Sequence, residues 1–225
     1  MHARTWLGLA FAAMVLPLGA HADQAVKIGD AYALLNKPAS ARAGLILIPG
    51  GNGVMNVRPD GTFGSLGGNQ LVRTRKDYLS YGLATLTIDV GVDVAAAVRY
   101  MRSVTPVVVV VGTSRGTLRA PKSLPAHPNG LVLTSGFWGN MPSLLGSPAA
   151  LPPTLVIEHR HDGCRPTSPA GVPGFQAWAG SKVKVVWLDG GIDKGDPCEA
   201  RAYHGFNGID GQVVSAVAQF AKSVH

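Results

Sequence analysis

The chain has 225 residues, 46% of them hydrophobic and 15% charged, with 29 Gly and 16 Pro. Such a length fits one domain, and the composition excludes a disordered, collagen-like or coiled-coil chain. The formal charge of +7 would suit a polyanion, but the densest basic patch, Arg73, Arg75 and Lys76, is short and has no interleaved aromatic residues, so no nucleic-acid partner is expected.

Residues 1–22 read as a secretory signal peptide. Arg4 gives a positive start, Trp6 to Leu18 is almost wholly apolar, and Ala20-His21-Ala22 is an A-x-A cleavage signal. The apolar run is shorter than the roughly 20 residues a membrane span needs, and no later stretch reaches that length, so no stable membrane insertion is expected after cleavage. The mature chain, 23–225, is expected to be one periplasmic or secreted domain. In an oxidising compartment the only two cysteines, Cys164 and Cys198, are expected to form a disulfide.

Apolar, β-branched runs bounded by Gly, Pro or Asp follow at Gly44 to Ile48, Leu83 to Ile88, Val107 to Val111, Gly130 to Thr134, Thr154 to Ile157 and Val183 to Leu188. Each reads as a strand, and their continuous rather than alternating pattern suits a parallel sheet covered on both faces. An earlier strand or hairpin is expected within Val26 to Leu35. Val94, Val98 and Met101 share one helical face, and Val213, Val217 and Phe220 share another. The fold class is therefore α/β, a doubly wound, mostly parallel sheet, with the Pro-rich stretches 121–128, 142–153 and 166–173 as crossover loops.

The valine strand runs into Gly112-Thr113-Ser114-Arg115-Gly116, a G-x-S-x-G motif. Strand, tight turn and following helix would present the Ser114 hydroxyl at the top of the sheet, with the helix N-terminus favouring negative charge. A serine needs a base to take its proton, and a carboxylate to orient that base. His2 and His21 leave with the signal peptide, His127 lies in a Pro-rich loop and His225 is the last residue, which leaves His159, His161 and His204. His204 alone sits between the last strand and last helix, at the carboxyl edge where such sites gather. Asp162, two residues before Cys164, is the expected acid, and a Cys164–Cys198 bond would tie its loop to that of His204. Asp189, Asp193, Asp196 and Glu158 compete for that role.

The oxyanion formed during acyl transfer needs donors, expected from the backbone N–H of Arg115 and from Gly51 or Asn52 in Pro49-Gly50-Gly51-Asn52-Gly53, directly after the first long strand. His159, His161, Asp162 and Cys164 also make a rival set of metal ligands, but the spacings of known metallohydrolase motifs are not matched, so no metal is expected. Phe137, Trp138 and Met141 are candidates to line a substrate pocket beside Ser114. Arg73, Arg75 and Arg115 offer a guess at an anionic substrate.

With Ser114, Asp162 and His204 in the chain order nucleophile, acid, histidine, the sequence resembles the α/β-hydrolase superfamily, and most closely its small exported dienelactone-hydrolase-like and esterase-like members. The resemblance spans Leu45 to Phe220. It rests on the Pro-Gly-Gly-Asn-Gly turn, Asn69-Gln70-Leu71-Val72-Arg73-Thr74-Arg75, the Ser114 elbow, His159-Arg160-His161-Asp162-Gly163-Cys164 and His204-Gly205-Phe206-Asn207-Gly208. It implies hydrolysis of a small-molecule ester or related acyl bond through an acyl-serine, with no metal or organic cofactor. The short crossover from Asp89 to Val107, and only 17 residues from Phe137 to Pro153, imply a minimal fold without a cap domain and an open site. Acyl transfer by the same triad, or a non-catalytic ligand-binding role, are the alternatives.

Overall fold

Alternation inside the apolar runs decides the layering. In the strand Ala43–Ile48, Leu45 and Leu47 pack to one side of the sheet, and Ile46 and Ile48 to the other. Val109 and Val111 likewise oppose Val108 and Val110 in Val107–Thr113. All eight side chains are fully buried, because a strand covered on both faces has no position left for a polar residue.

The computed structural model describes residues 23–225; the expected signal peptide lies outside the described residues. Its strands are β1 (Gln24–Ile28), β2 (Ala31–Asn36), β3 (Ala43–Ile48), β4 (Leu83–Ile88), β5 (Val107–Thr113), β6 (Gly130–Thr134), β7 (Thr154–His159) and β8 (Val183–Leu188). They form one open sheet in the order β1-β2-β4-β3-β5-β6-β7-β8. The β1–β2 hairpin and the β2–β4 pairing are antiparallel, and all other pairings are parallel. All six strands expected from the sequence are present, and the weak signal within 26–35 is the hairpin.

The helices are α1 (Gln70–Arg73), α2 (Val94–Arg102), α3 (Met141–Leu145), α4 (Val172–Ala179) and α5 (Asp210–Ser223). One core holds α2 and α4 against the sheet through Val94, Val98, Met101, Val172, Phe175 and Ala179. The other holds α5 through Val213, Val214 and Val217, with Leu71 of α1 and Tyr78 beside them. The segment 137–153 carries only α3 and two short 3₁₀ turns, so no cap domain covers the carboxyl ends of the strands. Among the described residues no helix is long and apolar enough to cross a membrane.

One expectation is corrected at the elbow. The segment after Ser114 is two 3₁₀ turns, Ser114–Leu118 and Ala120–Ala126, rather than an α-helix. Pro121 and Pro125 explain this, since each lacks the N–H of an α-helical bond and its ring collides with the carbonyl four residues earlier. The aligned dipole expected of a long helix is correspondingly reduced.

Candidate active site

The carboxyl ends of β3, β5, β7 and the β8–α5 connection deliver the chemistry to one edge of the sheet, as parallel α/β sheets do. Ser114 follows β5 directly and has φ +51°, a left-handed conformation costly for a residue with a Cβ and typical of strained functional turns. The glycines around it are steric requirements. A Cβ on Gly116 would stand 2.1 Å from the Ile48 carbonyl oxygen, and one on Gly112 would stand 2.8 Å from that of Gly116. A Cβ on Gly50 would stand 2.8 Å from the Cβ of Ser114, so the loop after β3 lies directly against Ser114.

His204 and Asp162 form a buried pair. The His204 Nδ1–H donates to Asp162 Oδ2 at 2.8 Å, and the Cys164 N–H donates to Asp162 Oδ1 at 2.8 Å. Each oxygen of the acid thus has its own donor. Thr167 Oγ1 stands 3.2 Å from His204 Nδ1, and Ser135 Oγ donates to the His204 carbonyl at 2.8 Å. Both residues are fully buried, and the sequence reading missed both, because a lone Thr or Ser in a loop carries no motif. The competing acids are engaged in their own loop: Asp189 accepts from Gly190 N, Asp193 from Tyr203 N and Asp196 from Cys198 N.

Glu158 is fully buried at the end of β7. Trp138 Nε1 donates to its Oε2 at 2.9 Å and His159 N to its Oε1 at 3.1 Å. Burial, reinforced by the nearby Asp162 charge, pushes its carboxyl up to about 9. Glu158 is therefore neutral near pH 7, and its carboxyl meets the Trp138 indole, whereas it is Asp162 that bonds His204.

Ser114 and His204 line one cleft of about 210 Å³ together with Gly51, Leu66, Gly68, Asn69, Gln70, Thr113, Cys198, Glu199, Ala200 and Gly205. Glu199 is the acidic side chain among them. Of the expected oxyanion donors, Gly51 borders this cleft, with φ +64°. Asn52 is exposed and its Oδ1 accepts from Val54 N. Arg115 follows Ser114 with an exposed side chain.

The expected substrate pocket of Phe137, Trp138 and Met141 is corrected: none of the three borders the cleft. Trp138 and Met141 belong to the core beneath the sheet face, where the indole is fixed by Glu158 and stacked on Phe175 with ring centroids 5.7 Å apart. Phe137 is half-buried, its N–H directed at Thr117 Oγ1. For two of the three arginines the expectation is corrected as well. Arg75 pairs with Asp23 at 2.6 Å and Arg73 with Asp210 at 2.8 Å, so neither is free to meet a substrate.

Cys164 and Cys198 are joined in a disulfide, and the bond connects the Asp162 loop to the segment leading into His204. His159 uses Nε2 on the Gly190 carbonyl and Nδ1 on His161 N, and its ring stacks on Tyr203 at 4.3 Å. His161 is exposed, 3.5 Å from Asp189. The rival ligand set is thus dispersed, and among the described residues no three His, Cys, Asp or Glu side chains are placed to hold a metal ion.

No family model matches the chain, and no curated protein matches it. Solved structures do. A dienelactone hydrolase from Anabaena variabilis superposes with TM-score 0.62 at 17% identity, over 90% of this chain and 94% of that one. An alpha-beta serine hydrolase homologue from Coxiella burnetii gives 0.62 at 16% identity, over 93% and 99%. A serine hydrolase without a lid from Xanthomonas campestris gives 0.60 at 14%, over 92% and 96%. The fold is that of the α/β hydrolases, in a form without a cap.

Proposed function

We propose that this protein is an exported serine hydrolase that cleaves an ester or related acyl bond of a small molecule through an acyl-serine intermediate. The reading is carried by one observation: His204, paired with the buried Asp162 behind it, lines one cleft with a serine held in a strained strand-to-turn conformation. In this mechanism Ser114 Oγ attacks the carbonyl carbon while His204 Nε2 takes its proton. The C=O electron pair moves onto oxygen, where the Arg115 N–H and an N–H of Gly51 or Asn52 stabilise it. Collapse of the tetrahedral adduct expels the alcohol, which receives the proton from His204. Water then attacks the acyl carbonyl carbon while His204 Nε2 takes its proton, and collapse of the second adduct breaks the bond to Ser114 Oγ, which regains the proton from His204 as the carboxylic acid leaves. Asp162 holds the imidazole tautomer and balances its transient positive charge.

Cleft size supports a small substrate, since about 210 Å³ lies below the usual range of drug-sized sites. The hydrolases among the fold neighbours support the reaction class, and the disulfide supports an oxidising, periplasmic or secreted location. The test is labelling of the oxidised protein by a fluorophosphonate, with the adduct mapped by peptide mass and Ser114→Ala as control. A stoichiometric adduct on Ser114, absent in the variant, is expected. No adduct on folded, disulfide-intact protein overturns the proposal in favour of a ligand-binding role.

A further inference from the structure

We propose that Arg73 is a positioning residue that sets the place of His204 across the cleft from Ser114; the inference rests on the serine-hydrolase reading. A guanidinium carries five N–H donors in a rigid plane, and here every one has an acceptor. Nε donates to Asp210 Oδ2 at 2.9 Å and Nη2 to Asp210 Oδ1 at 2.8 Å. Nη2 also donates to the Gly205 carbonyl at 2.6 Å, and Nη1 to the carbonyls of Gly68 at 2.5 Å and Ala200 at 3.5 Å.

Those acceptors belong to separate parts of the fold. Gly68 precedes α1, Ala200 and Gly205 bracket His204, and Asp210 opens α5. Gly68, Ala200 and Gly205 all border the cleft, so one side chain joins its two lips. The histidine segment is therefore held at both ends, by the Cys198 disulfide to the acid loop and by Arg73 to the α1 lip. Between them Ser135 and Asp162 hold the carbonyl and ring of His204. Loss of the Arg73 bonds frees the lip to shift, and a displacement of about 1 Å at a catalytic group costs about 100-fold in rate. Lysine cannot substitute: its three donors on a single nitrogen cannot reach Gly68, Ala200, Gly205 and both Asp210 oxygens.

The experiment compares wild type, Arg73→Lys and Arg73→Ala by fluorophosphonate labelling rate and by turnover of a short-chain p-nitrophenyl ester, with folding checked by circular dichroism. The low-field Nδ1 proton of His204 is followed by NMR. Arg73→Lys is expected to lower kcat and the labelling rate together by about 10- to 100-fold, to leave KM within about threefold, and to broaden the low-field signal. Methylguanidinium is expected to restore part of the rate to Arg73→Ala. A folded Arg73→Lys with wild-type kcat overturns the inference, as does a raised KM with unchanged kcat, which would make Arg73 a substrate contact. Failure of both variants to fold also overturns it, by making Arg73 a stability residue. Wild-type protein that is not labelled overturns the hydrolase reading itself, an outcome distinct from all of these.

Discussion

Glu158 at the end of β7 and Asp162 in the loop after it stand four residues apart in quite different surroundings. Asp162 receives one N–H on each oxygen, from Cys164 and His204. Glu158 is sealed in the core with the Trp138 indole. Asp162→Asn should lower kcat by orders of magnitude, about 10⁴ where the histidine tautomer is lost. Asp193→Asn and Asp196→Asn should leave turnover within about twofold, because their carboxylates cap exposed backbone. The reverse ranking in a turnover assay moves the acid elsewhere. Glu158 has a folded-state value of about 9 against an ordinary 4.5, so between those pH values the folded chain holds a proton that the unfolded chain releases. Its contribution to stability is therefore complete below pH 4.5 and is lost as pH rises toward 9, at a slope of up to about 1.4 kcal/mol per pH unit. Denaturant midpoints of wild type and Glu158→Gln across that window should diverge with this sign, and parallel curves would refute a buried neutral acid.

At the level of elements, the elbow depends on contact between β5 and the end of β3. Gly116 has no space for a side chain against the Ile48 carbonyl, so Gly116→Ala must push two central parallel strands apart or distort the turn that carries Ser114. A loss of about 3 kcal/mol or more in urea unfolding is expected; a loss below 1 kcal/mol would mean that the contact relaxes freely. The helices show which local signals can be read in one dimension. α2 and α5 have apolar residues at helical spacing and were foreseen. α4 was hidden because Pro173 and Gly174 punctuate its first turn, and punctuation of that kind reads equally as a loop. At the first helical positions proline loses nothing, since its missing N–H would be unpaired there in any case.

Across the whole molecule, the disulfide and Arg73 bind three loops that the chain separates widely. Cys164 and Cys198 close a loop of 34 residues, which the chain-entropy model values at about 3 to 4 kcal/mol. Full reduction should lower the thermal midpoint and slow labelling of Ser114 at temperatures where the protein remains folded. A shifted midpoint with an unchanged labelling rate would leave the bond a stability element with no part in holding the site. The low sequence similarity to proteins of the same fold is consistent with this construction. What must be kept is the two-faced apolar strands and a few residues at their carboxyl ends, and many sequences satisfy that.

The parallel core and the candidate nucleophile are legible in the amino-acid order, because both are local patterns: unbroken β-branched runs, and a glycine pair around a serine immediately after one of them. Position along the chain also singles out His204 as the candidate base. The partners of Arg73, Trp138, Met141, Thr167 and Ser135 appear only in the folded chain. An arginine looks the same in sequence whether it faces solvent, a substrate or five backbone and carboxylate acceptors. An aromatic residue after β6 can face the cleft or the core, and here the choice was made by the buried carboxyl of Glu158, which meets Trp138 across 20 residues of chain. Such pairings depend on distances between loops, and those distances exist only once the sheet has set its strand order.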